Sequence, residues 1–212
     1  MAQRGFFITL EGGEGSGKST QVPVVADFFR QRGYDVVCTR EPGGTKLAEQ
    51  IRSVLLTKDP DEDLCDKSEL LLMYAARAQL VETLIKPSLA QGKVVISDRF
   101  DLSTLAYQGA GRGIPLAEIA ALRQVAIGDF APDLTLLLDV PVEVGMARMR
   151  ARGKADRIEQ AGTSFFERIR TGFRDYALSH PEQVALIDGT QELAQVSAQV
   201  EQVLNECLGA KL

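Results

Sequence analysis

A chain of 212 residues has room for one well-buried domain, and its 45% apolar and 25% charged residues are those of an ordinary globular protein. A net charge of −5 argues against a surface built to grip a nucleic-acid backbone, and no apolar run reaches the ~20 residues that span a membrane. Three widely spaced cysteines without a CxxC pair (Cys38, Cys65, Cys207) give no support to a disulfide framework or a zinc site and suit a reducing cytoplasm; His180, the one histidine, leaves little room for a His-based nucleophile or metal site.

In chain order, Met1–Arg4 leads into Gly5–Glu11, which reads as a buried strand. A glycine-rich loop follows it, not the cleavage site of a secretory signal. Lys18–Arg32 reads as a helix closed by Gly33, and Asp35–Thr39 as a second strand. Thr45–Thr57 has helical spacing at Leu47, Ile51, Val54 and Leu55, and Thr57–Asp66 is an acidic loop. Lys67–Gln91 reads as a long helix kinked or broken at Pro87. Lys93–Ser97, Leu134–Asp139 and Gln183–Asp188 are further strands, and a last helix runs from about Gln191 to Cys207. Strands apolar on both faces and separated by helices predict a parallel sheet covered on both sides.

The loop Gly12-Gly13-Glu14-Gly15-Ser16-Gly17-Lys18-Ser19 matches GxxxxGK[ST] between a strand and a helix. Glycines let successive backbone N–H groups turn towards phosphate oxygens, and the helix offers its positive end. In such a loop Lys18 bridges the β- and γ-phosphates and Ser19 ligates Mg²⁺, with Thr20 as its neighbour. The guanine-reading Asn-Lys-x-Asp of signalling GTPases is missing, since Asn205 is the one asparagine. A compact chain with several loop arginines points to a kinase for a small acceptor. The acceptor's own phosphate oxygen is then the nucleophile, so no strong general base is required.

Arg40 follows the second strand on the phosphate side, as an acceptor-phosphate ligand or as a solvated connector. Arg77 lies in an apolar helical run and needs a partner, either a structural carboxylate or a ligand. Asp98 and Asp139 both close strands. Asp98 is the favoured metal acid because Arg99 beside it adds a phosphate-directed group, whereas Asp139 suits a strand end or a helix cap. Arg148–Arg157 holds five cations in ten residues: a solvated face, a nucleic-acid patch, or a lid that closes on the transferring phosphoryl group with Gly153 easing its movement.

These segments together resemble the thymidylate kinase family over nearly the whole chain. The resemblance rests on the phosphate loop at 12–19, Thr-Arg-Glu-Pro-Gly-Gly-Thr at 39–45, Ala-Ala-Arg at 75–77, Ser-Asp-Arg at 97–99, Ser-Thr-x-Ala-Tyr-Gln at 103–108 and Arg-x-Arg-Gly-x-x-Asp-Arg-Ile-Glu at 150–159. It implies an α/β P-loop nucleoside monophosphate kinase fold, a five-stranded parallel sheet with helices on both faces, in one domain spanning 1–212 with a mobile lid at about 148–159. It implies transfer from ATP to dTMP with Mg²⁺ in a cytoplasmic homodimer, without nucleic-acid or membrane partners. The alternatives are a kinase for another pyrimidine monophosphate and a nucleotide-dependent switch module.

The resemblance also assigns roles. Gly12, Gly13, Glu14, Gly15, Ser16, Gly17, Lys18, Ser19, Thr20 and Arg148 serve the ATP phosphates, and Ser19 and Asp98 the metal. Glu14 faces the acceptor side, and Arg40 and Arg99 meet the acceptor phosphate. Pro42 belongs to a turn that often holds a cis peptide. Arg77 and Gln108 meet the thymine edge, and Ser103, Thr104 and Tyr107 line the nucleoside pocket. Met73 stands where a stacking Phe is common, with Tyr74 beside it as a second candidate. Gly15 replaces the catalytic Arg that some members carry in the loop, so the transition-state arginine is expected in the lid as Arg150 or Arg152. Lys18, Glu14 and Arg99 complete the catalytic set, and Asp156 and Glu159 are lid-side polar contacts.

Overall fold

The structure is a computed structural model that describes residues 5–151, 153 and 156–211. Five strands, β1 (Phe7–Glu11), β2 (Val36–Arg40), β3 (Val94–Asp98), β4 (Leu134–Asp139) and β5 (Val184–Asp188), form one sheet in the order β2-β3-β1-β4-β5. Every pairing is parallel. β1 is central, and the chain winds from it first to one side and then to the other. The crevice therefore opens beyond the carboxyl ends of β1 and β3, where the phosphate loop begins.

Alternation along the strands sorts two apolar layers. Ile8, Leu10, Val94, Ile96, Leu134, Leu136 and Leu138 face one side, against Val25, Phe28 and Phe29 of α1 (Lys18–Arg30). Val196, Val200 and Leu204 of α9 (Leu193–Lys211) complete that layer. Phe7 and Val95 face the other side, against Leu80, Val81, Ile85 and Leu89. A third cluster joins Leu137 to Phe165, Phe166, Ile169 and Phe173 of α8 (Thr163–Ser179) and to Ala106 and Tyr107. Between these lie α2 (Lys46–Leu56), α3 (Asp66–Leu80), α4 (Lys86–Ala90), α5 (Asp101–Thr104), α6 (Leu116–Ala126) and α7 (Val142–Ala151).

The sheet and its strand positions agree with the sequence reading to within two residues. The long helix expected over 67–91 runs on without a break at Pro87. α3 passes through a π-helical turn, Val81–Ile85, into α4, whose first turn holds Pro87. The wider turn admits the proline ring, which would otherwise clash with the carbonyl four residues back. A second π-helical turn, Leu105–Gly111, follows α5 and carries Tyr107 and Gln108. The sequence reading drew no helix over 101–126 or 163–179, although α8 sets Phe165, Phe166, Ile169, Phe173 and Ala177 at helical spacing against a core cluster.

Candidate active site

Positive φ at Gly12 (137°), Gly15 (66°) and Gly17 (100°) curls the loop after β1. A Cβ at Gly12 would lie 2.3 Å from the Leu138 carbonyl oxygen, so no side chain fits there. Gly17 caps α1 without a side-chain bond, which leaves the first amides of the helix open to an anion. Lys18 is buried, and its Nζ donates to the carbonyls of Gly12 (2.9 Å) and Gly13 (2.8 Å) and to Ser16 Oγ (3.2 Å). Burial, then the positive charge of Arg99, lowers its pKa to about 8, against the pull of Glu14 and Asp98.

Ser19 Oγ donates to Asp98 Oδ2 at 2.9 Å, which joins the loop to the end of β3. Asp139 is engaged elsewhere: Arg170 Nε (2.8 Å) and Nη2 (2.9 Å) and Arg174 Nη1 (2.5 Å) of α8 clamp it. Burial raises its pKa, and the two arginines more than reverse that. Of the two strand-end acids, Asp98 thus stands beside the phosphate loop and Asp139 serves an ion-pair cluster. The pair of hard oxygens on Ser19 and Asp98 suits Mg²⁺, which keeps several waters and takes phosphate oxygens as further ligands. Among the described residues no cluster of three or more His, Cys, Asp or Glu offers a self-sufficient metal cage.

Arg99, directly after β3, has φ 71°, uncommon for a residue with a Cβ. This turn brings its Nη1 to Gly12 O (3.0 Å) and Ser103 Oγ (3.2 Å) and its Nη2 to Glu14 Oε1 (2.5 Å). Tyr107 lies under the guanidinium, 4.9 Å from ring centroid to Cζ, and its hydroxyl donates to Glu14 at 2.9 Å. Burial, with the charge on Glu14, pushes the Tyr107 hydroxyl well above its usual pKa, so it remains a donor. Below them Glu11, fully buried, accepts from Phe100 N (2.8 Å) and Ser103 Oγ (2.5 Å), and burial raises its pKa to about 7.

The other wall is a buried ionic network around Arg77, which is 2% exposed. Its Nε donates to Glu41 Oε2 (2.8 Å), its Nη1 to Asp101 Oδ1 (3.0 Å), and its Nη2 to Phe100 O (3.1 Å) and Thr104 Oγ1 (3.0 Å). Arg77 thus has the structural carboxylates that one sequence alternative required, and it also lines the cleft. Glu41 precedes Pro42 through a cis peptide; burial lifts its pKa to about 7 despite Arg77. Gln108, 1% exposed, donates through Nε2 to Glu69 at 2.7 Å.

One cleft of about 650 Å³ brings these groups together. It is lined by Glu14 to Gln21, Arg40, Pro42, Met73, Arg77, Asp98, Arg99, Ser103, Thr104, Tyr107, Gln108 and Arg148, with Asp156 and Glu159 from the expected lid. Gly12 and Gly13 lie just beneath it, where their carbonyls hold Lys18. Tyr74 is not at the cleft: its hydroxyl donates to Asp101 at 3.0 Å, so it buttresses the network. Arg40 pairs with Glu49 at 3.0 Å at the exposed rim. Arg148 Nη1 donates to Gly189 O (3.0 Å) and Gly15 O (3.3 Å). Arg150 is exposed on α7 and outside the cleft, and Arg152 falls outside the described residues. His180 stacks on Tyr176, with ring centroids 4.1 Å apart, away from all of this.

Three groups escaped the sequence reading. Arg52 of α2 reaches the cleft and donates to Pro42 O at 2.7 Å; one arginine among polar helix positions gives no signal. Glu69 holds Gln108 of the Arg77–Gln108 wall from behind, yet in sequence it is an ordinary first-turn helix acid. Gly189, Gln191 and Leu193 border the cleft after β5, and the rule that loops at carboxyl ends of parallel strands line the crevice could have found them.

Comparison with known proteins agrees with this geometry. The family model described as Thymidylate kinase matches residues 10–200. The thymidylate kinase of Ectopseudomonas mendocina is 51% identical over 207 residues, covering 97% of this chain and 98% of its own. That of Pseudomonas fluorescens is 52% identical over 205 residues, covering 96% and 97%. The crystal structure of thymidylate kinase from Ehrlichia chaffeensis superposes with a TM-score of 0.75 at 37% identity, over 95% of this chain and 99% of that one. With strand order, phosphate loop and whole-length likeness in agreement, the chain belongs to the thymidylate kinase family and has the P-loop nucleoside monophosphate kinase fold.

Proposed function

We infer that this protein transfers the γ-phosphoryl group of ATP to the 5′-phosphate of dTMP, giving ADP and dTDP. The observation that carries the reading is a single cleft with the phosphate loop at one end and the Arg77–Gln108 wall at the other. A phosphate oxygen of dTMP attacks the γ-phosphorus, and the bond to the β-bridging oxygen breaks. Lys18 and the loop amides hold the donor phosphates. Arg99 and Arg40, with Arg52 behind them, face the acceptor phosphate, and Glu14 and Tyr107 hold the sugar side. Ser19 and Asp98 hold Mg²⁺, which when bound neutralises phosphate charge.

The whole chain works as one kinase domain, with 148–159 closing over the cleft. In support, both ends of that segment, Arg148 and Asp156 to Glu159, already border the cleft. The catalytic lid arginine is Arg150 or Arg152, and closure would bring it to the transferring group. The protein acts as a cytoplasmic homodimer. Cys38 and Cys65 are free thiols, no described helix is long and apolar enough to cross a membrane, and α2 and α3 leave Leu47, Val54 and Leu71 exposed on a face that a second copy would cover.

The test is ADP release from ATP·Mg²⁺ with dTMP, dUMP, dCMP, UMP, CMP, AMP and GMP as separate acceptors. Strong stimulation by dTMP and weaker stimulation by dUMP are expected. A preference for another monophosphate overturns the base assignment, and slow hydrolysis indifferent to acceptor overturns the kinase reading.

A further inference from the structure

The base-side wall depends on a carboxylate that does not itself line the cleft. Glu69 of α3 is 1% exposed. Its Oε1 accepts from Gln108 Nε2 (2.7 Å) and Arg112 Nε (3.3 Å). Its Oε2 accepts from Arg112 Nη2 (3.1 Å) and Arg157 Nη2. Burial pushes this carboxyl up, but bonds from Gln108, Arg157 and Arg112 together outweigh burial and leave the pKa below its ordinary value. Glu69 is therefore ionised at neutral pH, and an ionised carboxylate only accepts.

An acceptor-only neighbour decides which way a glutamine amide faces. With Nε2 committed to Glu69, the planar amide turns its Oε1 away, and Gln108 is a lining residue of the cleft. Among the described residues Oε1 accepts no hydrogen bond. The flipped amide would set two oxygens against each other in a buried site, which is unfavourable because neither can donate. Thymine and uracil carry a donor, N3–H, where cytosine has a lone pair.

Building on the thymidylate reading, we propose that Glu69 is a specificity-determining positioning residue. It locks the Gln108 carbonyl oxygen towards the acceptor base, so the cleft takes an imide pyrimidine and rejects cytosine. In Glu69→Gln the new amide keeps its oxygen for Arg112 and Arg157 and turns its N–H groups to Gln108. The Gln108 amide then flips and offers a donor to the base.

The experiment measures kcat/KM for dTMP, dUMP and dCMP in the wild type, Glu69→Gln, Gln108→Leu and the double variant. The dTMP/dCMP ratio should fall by about tenfold or more in Glu69→Gln, the size of one reversed hydrogen bond, while dTMP/dUMP is unchanged. In the Gln108→Leu background Glu69→Gln should leave the ratio where it is. An equal loss for all three acceptors overturns the proposal, because a merely structural role predicts it. A wild type that takes dCMP as readily as dTMP sinks the thymidylate reading and this proposal together, whereas a selective wild type with an unmoved variant ratio sinks the proposal alone. Should Glu69→Gln not fold, NMR of the wild type decides: a downfield, slowly exchanging Gln108 side-chain amide proton supports the lock, and an averaged pair of amide protons overturns it.

Discussion

The two ends of the cleft are built differently. At the acceptor end, Arg77, Gln108, Thr104 and Glu69 are each 2% exposed or less, and every one of them is held by another protein group. At the donor end, Ser19 and Thr20 are exposed side chains, Arg148 binds the main-chain oxygens of Gly15 and Gly189, and the loop presents backbone N–H groups. Buried ion pairs contribute little net stability, because desolvation offsets much of their attraction, but they fix where donors and acceptors point. Backbone amides recognise any polyphosphate. On the proposed function, base selection resides in pre-organised side chains, and donor binding in loop geometry and charge.

The largest effect expected is at the donor end. Lys18→Ala should lower kcat by about three orders of magnitude, since charge stabilisation of the transferring group is lost. Circular dichroism should show the fold retained, because the bonds of Lys18 Nζ to Gly12 O, Gly13 O and Ser16 Oγ lie within the loop and the sheet is held by its own ladders and core. Near-normal turnover would mean that the loop alone suffices.

At the acceptor end the main loss should be stability. Arg77→Met leaves Glu41 and Asp101 buried without their shared cation, at a cost of about 3–5 kcal/mol by urea denaturation. A loss near zero would show that the network is wet and adaptable, and the contrast between the two ends would fail. Glu41 sharpens this. Its pKa is about 7 with Arg77 present, and losing the cation should raise it further, so the Glu41 share of the deficit should shrink as pH falls from the variant's raised pKa towards about 7 and level off below it.

The smallest effect is a pH limb. Lys18 must be charged to meet phosphate, and its pKa is lowered from 10.5 to about 8 in the free protein. kcat/KM for ATP should fall above pH 8, approaching tenfold per unit, while kcat, measured with phosphates already beside Lys18, should stay level to higher pH. Lys18→Arg should remove the limb. A flat kcat/KM profile to pH 9.5 would show that Glu14 and Asp98 keep Lys18 charged.

Much of this was legible in the chain. Apolar runs of strand length and a GxxxxGK[ST] match are local patterns, and local patterns report on the backbone and on main-chain phosphate binding. β1, β3 and β4, the phosphate loop and the strand-end position of Asp98 follow from them. Not read were α5, α6, α8 and the two π-helical turns: the second turn carries the cleft residues Tyr107 and Gln108, whereas the core face of α8 stood in the sequence at helical spacing and was missed.

The sequence by itself determined a parallel sheet, a phosphate loop after its first strand, and a set of arginines able to serve phosphate. It favoured Asp98 over Asp139 as the metal acid because Arg99 stands beside Asp98. The fold settled their surroundings by packing α8 so that Arg170 and Arg174 occupy Asp139, while Ser19 meets Asp98. It also joined Glu41, Arg77 and Asp101, and Glu69, Gln108 and Arg157, which are far apart along the chain. Such partnerships have no one-dimensional signature. A buried charge needs a partner, but only the packing of helices against the sheet determines which residue is within reach.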